Sequence, residues 1–444
     1  MRKIICILLC ILTLLLTACS PQLSMPHNTT EVMTEENPSG NGKHDPTGFA
    51  VGFASVDIST PLRTGLGGFG NYEERLSKSI KDPILMTCTA ISDGEETLLL
   101  YGLDLLNSSK PVWDQISKML QRDLGIPQEN ILMNATHSHA APALNSSGAH
   151  MAKYMKEFYP KALQVAKDAV ADLDRAEMYI GETHTEGLNF VRRYLKNDGT
   201  FLGGPGLAGG LDYKENYAEC EPDTQMQILR FDRKNQKDVI VANWQCHSTF
   251  VGTKSGTEIS ADWVGAFRKE VEKQLDAHCA FLQGAAGSLV PAGKLTTEHY
   301  WKKSEYKEHG KRVAKNLIDA IPNMKKVETG KIQAETLDFE VTYDPAKGYS
   351  DEKTTMPLSV MAIGNVAIAT APFEMDHRNG IAVKENSPFE MTIISAYTNG
   401  AYGYIPHKDA FPNGGYEVES SKFVPGTAEL IEEKLLDMLG EIHQ

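Results

Sequence analysis

Three histidines, a glutamate and two tyrosines stand in four short motifs of this chain. The motifs are Thr136-His137-Ser138-His139, Cys246-His247-Ser248-Thr249, Ala371-Pro372-Phe373-Glu374 and Ala401-Tyr402-Gly403-Tyr404. Each follows a run that reads as a β-strand. In open α/β sheets, ligands gather outside the carboxyl ends of the strands. If the four strands run parallel, the imidazoles, the carboxylate and one or two phenols converge. Imidazole nitrogen and carboxylate oxygen suit a borderline metal such as zinc. Taken singly, each motif has a plainer reading. An HxH on a loop also fits a satisfied polar pair, and a lone glutamate also fits a solvated carboxylate.

The elements that must position these groups alternate along the chain. Strand-like runs are expected at Ala50–Val56, Ile84–Ala90, Thr97–Asp104, Asn130–Ala135, Met226–Phe231, Val239–Gln245, Ala280–Leu282, Leu358–Ile363, Asn365–Thr370 and Met391–Tyr397. Helical periodicity is clearest over Lys110–Leu124, where Val112, Ile116, Leu120 and Leu124 share a face. Further helices are expected at Ala149–Leu173, Ala261–Leu275, Lys307–Ile321 and Thr427–Leu439. The pattern predicts an α/β fold, mixed β-sheets flanked by helices, in one large domain from residue 48 to 444.

With 41% hydrophobic and 23% charged residues, the chain is neither disordered nor a polytopic membrane protein. Its 44 basic and 58 acidic residues give a net charge of −14 with no basic stripe, so nucleic acid is not an expected partner. The first residues carry a separate message. Arg2 and Lys3 precede an apolar run from Ile4 to Leu16 and the exit Leu16-Thr17-Ala18-Cys19. That is the pattern of a signal peptide over residues 1–18. Its end resembles the lipobox of bacterial lipoproteins, which implies cleavage before Cys19 and lipid attachment to that thiol. A plain secretory signal with an incidental cysteine is the alternative. Several acyl chains on one residue suffice for stable anchoring, so the expected location is a membrane, facing outside the cytoplasm. Residues 19–47, polar and rich in Pro, Asn, Ser and Thr, read as a flexible tether. Cys88, Cys220, Cys246 and Cys279 are scattered without CxxC spacing, and no disulfide is expected among them.

The order of the motifs is more specific than any one of them. Val51-Gly52-Phe53-Ala54-Ser55-Val56-Asp57-Ile58-Ser59-Thr60-Pro61 resembles the opening GxGxADITGP strand of the neutral/alkaline, non-lysosomal ceramidase family. Gly67-Gly68-Phe69-Gly70 resembles the glycine-rich segment that follows it. Thr136-His137-Ser138-His139-Ala140-Ala141-Pro142 is similar to the family's THTHAGP signature. Asn243 to Thr249 resembles the segment with its second histidine, Pro372-Phe373-Glu374 its PGE, and Asn399 to Tyr404 its NxYxxY. The resemblance implies zinc held by His137, His247, Glu374 and Tyr404, with His139 facing the substrate carbonyl. It also implies that Arg192 and Tyr416 are active-site residues. On their own, Arg192 or Arg193 reads as a surface ion pair and Tyr416 as a packed aromatic. Zinc lowers the pKa of bound water from about 15.7 to about 7 and polarises a carbonyl. Imidazole, guanidinium or phenol donors then stabilise the oxyanion that forms. A catalytic zinc needs an open position, so four protein ligands must leave room for a fifth or Tyr404 must bind weakly.

The chain departs from the family in two places. The family's GDxSPN serine aligns with Val290 in Gly284-Ala285-Ala286-Gly287-Ser288-Leu289-Val290-Pro291-Ala292, and Ser288 takes the aspartate position. Three outcomes follow: attack by zinc-bound hydroxide, which is favoured; use of Ser288 through a shifted loop; or loss of the chemistry. The family's C-terminal immunoglobulin-like domain is not expected after the helix Thr427–Leu439. The leading expectation is a membrane-anchored, zinc-dependent hydrolase of an amide, ceramide-like in its N-acyl lipid, or of an ester. The alternative is a non-catalytic lipid- or glycan-binding lipoprotein on a degenerate hydrolase fold. A solute-binding lipoprotein would need two lobes, and no shift in composition marks a hinge.

Overall fold

Apolar side chains alternate along the central strands and divide them between two cores. Leu99, Tyr101 and Leu103 pack toward helices, while Leu98 and Leu100 pack toward a second sheet. The computed structural model describes residues 48–443 except 61, 70–74, 197–200, 203–212, 219 and 292–302. The expected signal peptide, Cys19, the tether, Gly70 and Ala292 lie outside those residues. His44–Gln444 form one compact unit.

The larger sheet contains β1 (Ala50–Asp57), β2 (Leu85–Ser92), β3 (Thr97–Leu103), β4 (Ile131–Ala135), β5 (Asp174–His184), β6 (Gln225–Arg233), β7 (Val239–Trp244), β8 (His278–Gln283) and β9 (Lys325–Val327). Their spatial order is β8-β7-β6-β5-β1-β2-β3-β4, with β9 paired to β5. A four-stranded sheet follows in chain order: β10 (Ile332–Thr342), β11 (Lys353–Ile363), β12 (Val366–Ala371) and β13 (Met391–Ala396). Both sheets are mixed. The parallel pairs are β3 with β4, β7 with β8, and β12 with β13.

Helices cover the outer faces. α1 (Lys110–Leu124) spans the predicted residues, starting at a proline-bearing first turn and ending at Gly125 with φ of 74°. With α2 (Ala149–Ala171) it buries Trp113, Ile116 and Phe158 against β1 to β4. α3 (Asp262–Leu275) and α4 (Tyr306–Ala320) bury Trp263, Phe267 and Leu317 against β6 to β8. On the smaller sheet lie α5 (His377–Asn386) and, beyond the short α6 (Tyr416–Ser420), α7 (Thr427–Ile442), which supplies Ile431, Leu435 and Leu439. Each large apolar side chain so buried contributes about 1.5–3 kcal/mol. The layers run helix, sheet, sheet, helix.

Buried amides tie the strand ends of the two sheets together. Asn134, at the end of β4, donates from Nδ2 to Ala396 O of β13 (2.6 Å) and Gln283 O of β8 (3.1 Å). Asn243 on β7 donates to Leu282 O (3.0 Å) and Ile394 O (2.8 Å). Gln283 donates to Cys246 O (2.7 Å) and Thr136 O (3.1 Å). Buried polar groups of this kind are costly unless satisfied, and once satisfied they fix one arrangement. Here they bring the carboxyl ends of β4, β7 and β13 to one place. Among the described residues, Cys88, Cys220, Cys246 and Cys279 form no disulfide. Among the described residues, no helix is long and apolar enough to cross a membrane.

Candidate metal centre

The chain leaves β4 at Ala135 and turns through His137 with φ of 60°, a left-handed conformation uncommon outside glycine. His137 Nδ1 lies 2.7 Å from Leu106 O. Donation to that carbonyl leaves the lone pair on Nε2. His247 follows the end of β7 and is arranged alike, with Nδ1 2.7 Å from Ala286 O and 3.0 Å from Leu289 O. A carbonyl behind each imidazole is the usual outer support of a metal-binding histidine. Glu374 follows β12 and pairs in parallel register with Tyr404. Gly287 packs directly against this segment, since a Cβ there would come within 2.6 Å of Glu374 O. The four motifs identified in the sequence thus meet at one end of the two sheets.

Their donor atoms converge closely. Glu374 Oε2 lies 3.4 Å from His137 Nε2 and 3.3 Å from His247 Nε2. It is buried and accepts no hydrogen bond among the described residues. His139 Nε2 lies 3.0 Å from His137 Nε2. The three imidazoles form a buried group whose ligating atoms all lie within 4.8 Å of one another. Donors about 2.0–2.1 Å from a tetrahedral metal are about 3.3 Å apart, so this set fits a metal ion. Charge points the same way. Burial, then the Arg192 guanidinium, lowers the His247 pKa to about 4, leaving that ring neutral at pH 7. Burial likewise holds His139 well below the usual histidine range. The neutral His247 ring therefore turns its Nε2 lone pair to a carboxylate, an arrangement that a cation relieves.

The sequence-derived ligand set places Tyr404 rather than His139 beside His137, His247 and Glu374. By distance, His139 belongs to the donor cluster, and Tyr404 lies next to Glu374 in register. His139 is packed from behind: a Cβ on Gly68, whose φ is 98°, would meet its Nδ1 at 2.4 Å. Phe69 meets its ring edge-on at 5.0 Å, and Arg75 donates to its carbonyl at 3.0 Å.

Arg192 and Arg193 are both buried, so neither forms a surface ion pair. Glu417 accepts from Arg192 Nε at 2.6 Å and from Arg193 Nη1 at 3.1 Å. Arg192 also donates to Gly287 O at 2.9 Å, and its Nη1 lies 3.4 Å from His247 Nε2. Its guanidinium stands over the rings of Tyr404 (5.3 Å) and Tyr416 (5.7 Å). Tyr416 meets Tyr404 edge-on and keeps 36% of its surface exposed. Burial raises both phenols, so both are protonated donors at neutral pH.

Val290 is buried in a two-strand ladder opposite Phe190 and supplies no nucleophile. Ser288 has turned elsewhere. Its Oγ lies 2.6 Å from His377 Nδ1, and His377 Nε2 donates to Glu221 O at 3.0 Å, so the serine hydroxyl donates to the imidazole. Residues that sequence reasoning missed are Glu417, which holds both arginines, and Tyr397, whose ring lies 4.2 Å from that of His137. The acid beside Tyr416 was the only available hint of the first.

The helix–sheet–sheet–helix architecture of this chain is similar to that of neutral ceramidase. The chain matches the crystal structure of neutral ceramidase from Pseudomonas aeruginosa with a TM-score of 0.74 and 17% identity, over 89% of this chain and 75% of that one. A ceramidase complexed with C2 matches with a TM-score of 0.72 and 16% identity, over the same shares. No family model and no curated protein matches the chain.

Proposed function

We propose that this protein is a zinc-dependent hydrolase of an amide or ester bond, with a ceramide-like N-acyl lipid as its substrate class. One observation carries the reading: two imidazole lone pairs and the unpartnered Glu374 Oε2 meet within 3.4 Å. A zinc ion there would supply Lewis acidity to polarise the acyl carbonyl and to activate water near neutral pH. His137, His247 and Glu374 hold the ion, with His139 or Tyr404 as the further donor. Arg192 is fixed by Glu417 and Gly287 O, so its charge is aimed before substrate arrives. It serves as an oxyanion donor, joined by the protonated Tyr416 at the more exposed edge. Where Tyr404 is the further donor, neutral His139 beside His137 is left to take up or return the proton that moves during cleavage.

The apolar Val290 favours water over a side chain as the attacking group, and Ser288, whose hydroxyl donates to His377, is the alternative nucleophile. The lipid substrate rests on the likeness to ceramidases, and lipidation at Cys19 would keep the enzyme at the membrane where such lipids reside. The test is turnover of N-acyl amide and ester lipids by zinc-loaded protein, with and without chelator. Chelator-sensitive hydrolysis is expected. Metal uptake without hydrolysis of any acyl substrate would favour a binding lipoprotein on a hydrolase fold.

A further inference from the structure

Tyr397 follows β13 directly, and its backbone leaves the strand with φ of 55°, an outlier for an aromatic residue. Three hydrogen bonds pin the turn. Tyr397 N donates to Phe373 O at 3.3 Å, and its carbonyl accepts from Ala135 N and Ser108 Oγ, each at 3.2 Å. The surrounding strands therefore impose a strained conformation, and such strain concentrates at functional sites. What the turn achieves is placement of the ring against His137, centroids 4.2 Å apart, and 6.4 Å from the ring of His247.

The phenol at the end of that ring is only 2% exposed, and its Oη has no hydrogen-bond partner among the described residues. Buried tyrosine hydroxyls ordinarily find one. A second orphan occupies the same centre, since Glu374 Oε2 also lacks a hydrogen bond. A phenol keeps its proton at neutral pH, so the group is a donor. An unused donor and an unused acceptor thus flank His137.

We propose that Tyr397 is a ligand-contacting residue of this centre: its O–H donates to an oxygen of the acyl carbonyl or carboxylate group held at His137, His247 and Glu374. This rests on the metal-centre reading. Tyr397→Phe keeps the stacked ring and removes only the hydroxyl. The experiment measures zinc content, the affinity of the zinc-loaded protein for acetohydroxamate, and the melting temperature of the metal-free protein. Wild type and variant are expected to bind equal zinc, while the variant binds acetohydroxamate about tenfold more weakly. Metal-free variant should melt at the same temperature as wild type or higher, because an unpaired buried group has gone. Equal hydroxamate affinity with zinc bound would overturn the role of Tyr397 alone, as would a lower melting temperature, which would reveal a structural hydrogen bond. Wild type that takes up no zinc would overturn the metal-centre reading, and this role with it.

Discussion

A single buried histidine and a buried group of three adjoin in this protein, and they differ in what surrounds them. His309 on α4 sits among Phe250 (5.0 Å), Trp263 (5.6 Å) and Trp244 (6.2 Å). Its Nε2 has no hydrogen-bond partner among the described residues, and burial lowers its pKa to about 3. Trp263 reaches across and donates from Nε1 to His247 O at 3.1 Å, so the second set begins next door. There His247 is lowered by burial to about 4. Low basicity alone therefore does not separate the two. The second set adds carbonyls that fix the tautomers, a carboxylate facing the lone pairs, and an arginine held by its own acid. A buried imidazole by itself marks a packed core. Convergence on uncompensated charge marks a site.

Breaking the contrast at its centre gives the largest effect. His137→Ala, His247→Ala and Glu374→Ala should each abolish chelator-sensitive hydrolysis; full activity in all three would remove the metal from the account. Arg192→Gln should retain zinc and lose about 10²–10³ in kcat, the usual cost of an oxyanion donor. A loss confined to KM would make Arg192 a substrate anchor instead. Ser288→Ala should lower stability by about 1–2 kcal/mol through the lost bond to His377 and change kcat less than tenfold. A loss of 10³ or more would make Ser288 the nucleophile.

His309→Leu should change neither zinc content nor turnover, and its effect is on acid stability. Between pH 6.5 and about 3 the unfolded chain binds a proton at this histidine that the folded protein excludes. Stability therefore falls as pH drops through that window, by about 1.4 kcal/mol per unit from this group. The variant should show a shallower loss in acid denaturation. Coincident curves would mean that His309 is charged in the folded state.

Much of this was legible in the residues. Apolar period gave α1 residue for residue, and it placed the strands before all four motifs, because those strands are buried on both faces. β10 was not legible: in Ile332–Thr342 only Ile332 and Val341 are buried, and charged residues line this sheet edge. α5 escaped because its buried positions are His377, Asn379, Gly380 and Val383, a face with almost no apolar signature. In the site, residue types and motif order pointed to His137, His247 and Glu374. Tyr397 read as the last residue of a strand, since nothing in its type announces a left-handed turn. Glu417 lies more than 200 positions from the arginines it holds, and only the fold brings them together.

The central claim is that the converging imidazoles and Glu374 hold a metal. Its most direct test is elemental analysis of the purified protein beside the His137→Ala/His247→Ala double variant, each supplied with zinc. The account predicts about one zinc per chain in wild type and almost none in the double variant, with both folded by circular dichroism. Equal zinc in the two, or none in either, would contradict it.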